Sequence, residues 1–176
     1  MFVMMAVREL TDSINSVSVI AGRRRKRAGF GKGVSMKLFT YGIDIGFRHC
    51  DPAGIVFYPR YFEMMNDAIE IFFRDVVKWP FSQMHAVDRR GIPAVSINLN
   101  FAAPGRLGDR LDWQMRVIRL GKSSAVIGHQ AKIGDVDVLS GDTTIVHTDL
   151  DRMSALVWTD DVRTVLAHYC DDGEGD

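Results

Sequence analysis

The stretch Cys50-Asp51-Pro52-Ala53-Gly54 places a carboxylate in a short Pro/Gly loop, a few residues ahead of what reads as a helix start at Pro59. The first N–H groups of a helix have no intrahelical acceptor and lie at the positive end of its dipole. Such a terminus can hold an oxygen that gains negative charge, as a carbonyl oxygen does in a tetrahedral acyl-transfer intermediate. A carboxylate that attacks a carbonyl or activates water, set against backbone donors, is a sufficient group for hydrolysis. Taken by itself, an Asp before Pro-x-Gly is more often a turn former than a catalyst. The neighbours offer less. His49, Cys50 and Asp51 are consecutive, and in an extended segment their side chains alternate in direction, so they do not converge on one ion and no metal site is expected. Cys50 has no partner placed to lower its thiol pKa, because His49 points the other way, and it reads as a buried structural thiol. Glu63 and Asp67 lie one helical turn apart and are by default solvated edge residues, a contact with the site being the alternative. His129 and His147 fall in strand patterns and take no role.

The elements that must position Asp51 are legible around it. Phe39, Tyr41, Ile43, Ile45 and Phe47 alternate with Thr40, Gly42, Asp44 and Gly46, the period of a half-buried strand. Pro52 and Gly54 end it in a loop. From about Pro59 to Val77 the apolar residues follow helical spacing: Tyr58, Phe62, Met65, Ile69, Phe72 and Val76 form a stripe that Tyr61, Met64, Ala68 and Ile71 widen, so the helix is expected to be covered on most sides. Pro59 suits the first turn, and Trp79-Pro80 closes the helix.

The second half is almost entirely strand-like. Val95 to Phe101 alternates up to a break at Pro104-Gly105; Leu111 to Val117 and Ala125 to Ile133 flank a Gly121-Lys122-Ser123 turn; a last strand region runs from about Val136 to Leu150, interrupted near Gly141. A short helix is expected from Thr159, burying Val162, Val165, Leu166 and Tyr169. One strand, a long apolar helix and then consecutive antiparallel strands predict an α+β domain whose sheet wraps the helix. Gly29-Phe30-Gly31-Lys32-Gly33 follows no strand and lacks phosphate-loop spacing, so no nucleotide loop is expected.

Composition narrows the class. At 176 residues the chain fits one domain. No apolar run approaches the ~20 residues of a membrane span, and two widely spaced cysteines suggest neither a disulfide framework nor a zinc site, which fits a reducing cytoplasm. The net charge of zero hides an asymmetry: residues 1–35 hold seven Lys/Arg and two acids, leaving 15 basic and 20 acidic residues for the rest. A globally basic nucleic-acid binder is therefore disfavoured. Residues 1–35, with Arg23-Arg24-Arg25-Lys26-Arg27, read as a basic extension; residues 36–170 as the folded domain, with Met36 a possible start; and 171–176 as a frayed acidic tail.

The run Cys50-Asp51-Pro52-Ala53-Gly54-Ile55-Val56-Phe57-Tyr58-Pro59-Arg60-Tyr61 resembles the signature of the 4-hydroxybenzoyl-CoA thioesterase group of hotdog-fold thioesterases, and Ile92-Pro93-Ala94, Gly108-Asp109-Arg110 and Gly121-Lys122-Ser123 fall where that family has similar segments. The resemblance spans about residues 36–170 and reverses the turn-former reading of Asp51. It implies a hotdog fold and hydrolysis of an acyl-CoA with an aromatic (4-hydroxybenzoyl-like) or short-to-medium acyl group. It implies Asp51 as nucleophile or general base, and the Tyr58 N–H as the group polarising the thioester carbonyl. Gly54, Ile55 and Val56 would line the substrate, with Lys122 and Arg152 on the CoA phosphates. The site would lie between the subunits of a homodimer, often paired into a homotetramer, with no cofactor beyond the substrate's own CoA. Pro59 stands where a sister group of acyl-CoA thioesterases has His, which favours the hydroxybenzoyl type. The alternatives are a non-catalytic hotdog protein that binds acyl-CoA or an acyl carrier, and a hydratase, which the lack of a further His in the Asp51 loop disfavours.

Overall fold

The computed structural model describes residues 37–170. The expected basic extension over residues 1–35 and the acidic tail over 171–176 lie outside the described residues. The alternating segment forms β1 (Phe39–Asp44), followed by a single 3-10 turn over Phe47–His49. Helix α1 runs Tyr58–Phe72 and widens into a π-helical turn over Phe73–Val77. It stops at Lys78, which adopts φ 62°, before Trp79-Pro80 is reached.

Five antiparallel strands build the main sheet. β3 (Ala94–Phe101), β4 (Arg110–Leu120), β5 (Ser124–Ile133) and β6 (Val136–Val146) join β1 in the order β1-β4-β5-β6-β3. β2 (Arg90–Gly91), β7 (Thr148–Asp149) and β8 (Ser154–Ala155) form a small second sheet, and α2 (Asp160–Ala167) follows with Thr159 at its N-cap. A further π-helical turn, Ser82–Val87, was not legible in the sequence.

The core forms where the α1 stripe meets the sheet. Tyr61, Met64, Met65, Ala68, Ile69 and Phe72 are buried in one cluster with Leu111, Trp113, Met115 and Val117 of β4 and Ala125, Ile127 and Ala131 of β5. Burial of this apolar area is the main driving force that fixes α1 across the sheet. Two expectations shift. Tyr58, placed on the stripe by spacing, turns its ring to solvent, because the buried face is centred on Tyr61 and Met65. The last strand is not interrupted at Gly141: β6 passes straight through it, pairing Gly141 with Leu99 of β3 and His129 of β5. A Cβ there would overlap the Asn98 carbonyl oxygen, so the glycine allows close strand approach rather than marking a break.

A buried polar chain crosses the core. Trp113 donates its indole N–H to Nδ1 of His129 at 3.2 Å, and Nε2 of His129 lies 3.2 Å from Thr143 Oγ1. Because Nδ1 is an acceptor, the neutral ring carries its proton on Nε2 and donates to Thr143, whose hydroxyl reaches Met65 Sδ at 3.0 Å. β4, β5, β6 and α1 are thus tied by one oriented set of bonds.

Candidate active site

Asp51 opens a tight turn. Gly54 N–H donates to the Asp51 carbonyl at 2.9 Å and Asp51 N–H to the Ile55 carbonyl at 3.0 Å, with Pro52 second in the turn and Gly54 at φ 74°. Pro presets its own φ and Gly accepts the left-handed one, so this sequence closes the loop at low cost. Asp51 Oδ1 accepts the Ala53 N–H at 2.8 Å, while Oδ2 takes no hydrogen bond among the described residues. The carboxylate therefore both shapes its turn and keeps one oxygen for other work.

The turn leads straight into α1. Cys50 bridges Val56, and Phe57 N–H donates to the His49 carbonyl at 2.9 Å. Asp51 accordingly lies at the tip of a short hairpin-like loop, and the helix begins beside its base. Phe57 is the N-cap, Tyr58 the first helical residue, Pro59 has no N–H, and Arg60 N–H already bonds the Phe57 carbonyl at 2.8 Å. Tyr58 N–H is left without an acceptor among the described residues, which makes it the donor this helix start offers.

A second clamp fixes the turn from outside. Val56 N–H donates to the Gly105 carbonyl at 2.9 Å, Gly105 N–H donates to the buried Tyr61 hydroxyl at 3.0 Å, and Ile55 bridges Arg106. Burial raises the Tyr61 hydroxyl above its ordinary pKa, so it stays a protonated phenol. In the sequence alone Pro104-Gly105 reads only as a break.

His49 is buried within the site. Its Nδ1 lies 3.0 Å from Gly46 N–H and its Nε2 lies 2.9 Å from Arg48 Nε. Burial first, then the Arg48 and Arg60 charges, hold its pKa below the usual histidine value, with Glu63 and Asp67 partly opposing. Glu63 is ion-paired to Arg60 at 2.7 Å on an exposed face. Glu63 and Asp67 thus face solvent one turn into α1 and act on His49 through their charge.

The remaining expected site residues divide by position. Gly54 is exposed at the turn and Ile55 half-buried beside it, whereas the Val56 side chain is in the core. Lys122, exposed in the β4–β5 turn, accepts the Trp158 N–H on its carbonyl. Arg152, in the β7–β8 turn, donates its N–H to Asp149. Asp51 sits by the Arg110 end of β4 and Lys122 just beyond its Leu120 end, a strand of 11 residues, or about 33 Å at the usual rise. One chain does not bring the two together.

Phe47, Phe57, Tyr58, Phe101 and Leu107, which flank the Asp51 loop and the β3–β4 connection along the chain, are exposed, with the Phe57 and Tyr58 rings edge to face. A separate open cavity of about 640 Å³, lined by Trp79, Asp88, Arg90 and His147 among others, contains none of the expected site residues. Among the described residues no group of three or more His, Cys, Asp or Glu could hold a metal ion. No described helix is long and apolar enough to cross a membrane.

The family model described as "Thioesterase superfamily" matches residues 53–140, which takes in the rest of the Asp51 turn, α1 and most of the sheet. The chain belongs to the thioesterase superfamily. Its chemistry is therefore thioester hydrolysis, and its fold is the hotdog arrangement of a sheet around a long helix. Among solved structures it is similar to a mutant 4-hydroxybenzoyl-CoA thioesterase complexed with 4-hydroxybenzoyl-CoA, with 26% identity and TM-score 0.67 over 73% of this chain and 98% of that one. It is also similar to the gentisyl-coenzyme A thioesterase BH1999, with 25% identity and TM-score 0.65 over 71% and 99%. A 1,4-dihydroxy-2-naphthoyl-CoA thioesterase from Synechocystis shares the fold at TM-score 0.68 and 18% identity, over 74% and 96%. No curated protein matches the chain.

Proposed function

We propose that this thioesterase hydrolyses an acyl-CoA with an aromatic, 4-hydroxybenzoyl-like, or short-to-medium acyl group. Asp51 is its catalytic carboxylate and the Tyr58 N–H its oxyanion donor. The observation that carries this reading is the joining of a turn whose Asp51 keeps one oxygen uncommitted to a helix start whose Tyr58 N–H has no acceptor. The thioester carbonyl oxygen would accept from Tyr58 N–H, where the helix dipole favours the charge that develops on it. Asp51 would then either attack the carbonyl carbon, expelling the CoA thiolate and leaving an anhydride that water opens to the free acid and Asp51, or take a proton from a water that attacks the carbonyl carbon itself as the CoA thiolate leaves. Neither route calls for a cofactor.

The exposed aromatic side chains beside the loop suit a planar acyl group, and the two solved thioesterases at 25–26% identity, named for gentisyl-coenzyme A and 4-hydroxybenzoyl-CoA, support that class. Two features support assembly of subunits. β3 is an edge strand with exposed Ile97 and Phe101, a surface that invites pairing with a second copy. Lys122 lies too far from its own Asp51 to serve the same substrate. A homodimer, itself able to pair into a tetramer, would let Lys122 of one subunit hold the CoA phosphates of a substrate at the other's Asp51; Arg152 is the second candidate cation.

Thiol release from benzoyl-, hydroxybenzoyl-, phenylacetyl- and straight-chain acyl-CoA esters tests the proposal. Asp51→Asn is expected to lower turnover by at least about a hundredfold while the fold and ester binding persist. Unchanged turnover removes Asp51 from the mechanism. Binding of the esters with no release from any of them points instead to a non-catalytic acyl-CoA binding protein, a reading for which the Asp51 turn bond to Ala53 gives some structural ground. A single turnover in heavy-oxygen water tests the nucleophilic route: label entering the Asp51 carboxylate requires an anhydride on Asp51 that water opens at the Asp51 carbon.

A further inference from the structure

His49 is buried at the foot of the turn that carries Asp51, and its polar atoms reach in two directions. Its carbonyl accepts the N–H of Phe57, the residue that caps α1 and sets where Tyr58 N–H points. Its ring reaches back to Gly46 N–H, while its own N–H bonds the Gly46 carbonyl, closing a reciprocal pair around the 3-10 turn. Nothing in the hydrolytic steps above uses this ring.

We infer that His49 is a positioning residue for the thioesterase reaction: its neutral ring anchors the 3-10 turn to Gly46, and so fixes the carbonyl that ties the Asp51 loop to the start of α1. The inference rests on the assignment of Asp51 and Tyr58 N–H made above. A neutral imidazole offers one acceptor nitrogen, so it satisfies either Gly46 N–H or Arg48 Nε at a given moment. A protonated ring satisfies neither, because both nitrogens then carry protons. The charges facing it are Arg48 on its own turn and Arg60, Glu63 and Asp67 on α1. Arg48 and Arg60 oppose a second positive charge; Glu63, held by Arg60, and Asp67 offset part of that opposition. Protonation at low pH is therefore expected to release Gly46, loosen the 3-10 turn and shift Phe57, moving the oxyanion donor relative to the carboxylate. A displacement of about 1 Å between reacting groups can cost on the order of a hundredfold in rate.

Two variants test it. His49→Leu removes the ring nitrogens and is expected to lower kcat by roughly tenfold or more at pH 8, with KM within about threefold. His49→Asn puts an amide oxygen near the Nδ1 position without a titrating group; it should restore most of the turnover at pH 8 and extend activity to lower pH than the wild type. Faster amide exchange at Gly46 and Phe57 in His49→Leu, reversed in His49→Asn, is the accompanying readout, and it needs no substrate. Wild-type kcat in His49→Leu, or a His49→Asn pH profile that superimposes on the wild type, overturns the inference, and the second outcome decides even if the leucine variant does not fold. A wild type that releases no thiol from any ester overturns the hydrolytic assignment and the catalytic half of the inference together, and the exchange measurement then decides whether His49 holds the turn.

Discussion

Gly105 is held on three sides: its N–H by Tyr61, its carbonyl by Val56, and its Cα against Ile45. A Cβ at this position would lie 2.7 Å from Ile45 Cδ1 and 3.0 Å from the Tyr61 hydroxyl. Gly105→Ala should therefore push the Asp51 turn off its seat, costing about 1–3 kcal/mol of stability and lowering kcat more than it raises KM. Tyr61→Phe leaves a buried N–H unpaired and should cost about 1–3 kcal/mol in urea unfolding without any steric conflict. A stability loss in Gly105→Ala with unchanged kcat would show that the clamp supports the fold alone. At this scale the sequence speaks clearly where the partners are local. Asp51, Pro52 and Gly54 announce a turn because each acts on its immediate neighbours. Gly105 does not, because its partner Tyr61 is 44 residues away.

The elements were legible to the degree that one face of each is buried. β4 alternates over residues 111–115 because the sheet packs one side on α1, and α1 itself shows its stripe for the same reason. Residues 115–117 of β4 and 127–131 of β5 are buried consecutively instead. β8 and the π-helical turn Ser82–Val87, short and dominated by tertiary contacts, carry no periodic signal, whereas Phe73–Val77 and β7 fall within segments whose spacing already reads as helix and strand. The polar chain inside the sheet carries an effect that periodicity could not show either. Burial lowers the His129 pKa from 6.5 to about 3. Above pH 6.5 the ring is neutral in both folded and unfolded chains; below it the unfolded chain binds a proton that the native core refuses. Stability is therefore complete above 6.5 and falls with pH until about 3, by about 2 kcal/mol at pH 5. Urea unfolding at pH 7 and pH 5 measures this, and His129→Gln, which does not titrate, should flatten the difference. An equal loss in that variant would place the acid sensitivity elsewhere.

For the molecule as a whole, the superfamily fold and the α+β layering were both within reach of the sequence, whereas the relation between the two ends of the substrate site was not. Spacing along the chain places Asp51 and Lys122 in suitable loops but says nothing about their separation. That separation follows from β4, which holds the carboxylate near one end and the lysine beyond the other. If each substrate is shared across a dimer, two damaged proteins can repair each other. A chain carrying Asp51→Asn and a chain carrying Lys122→Ala, each poor alone at low acyl-CoA concentration, would form mixed dimers in which one site inherits both defects and the other inherits none. Unfolding and refolding the two together should then restore turnover well above that of either parent, and a mixture no better than the average of its parts would mean that each subunit serves its own substrate unaided.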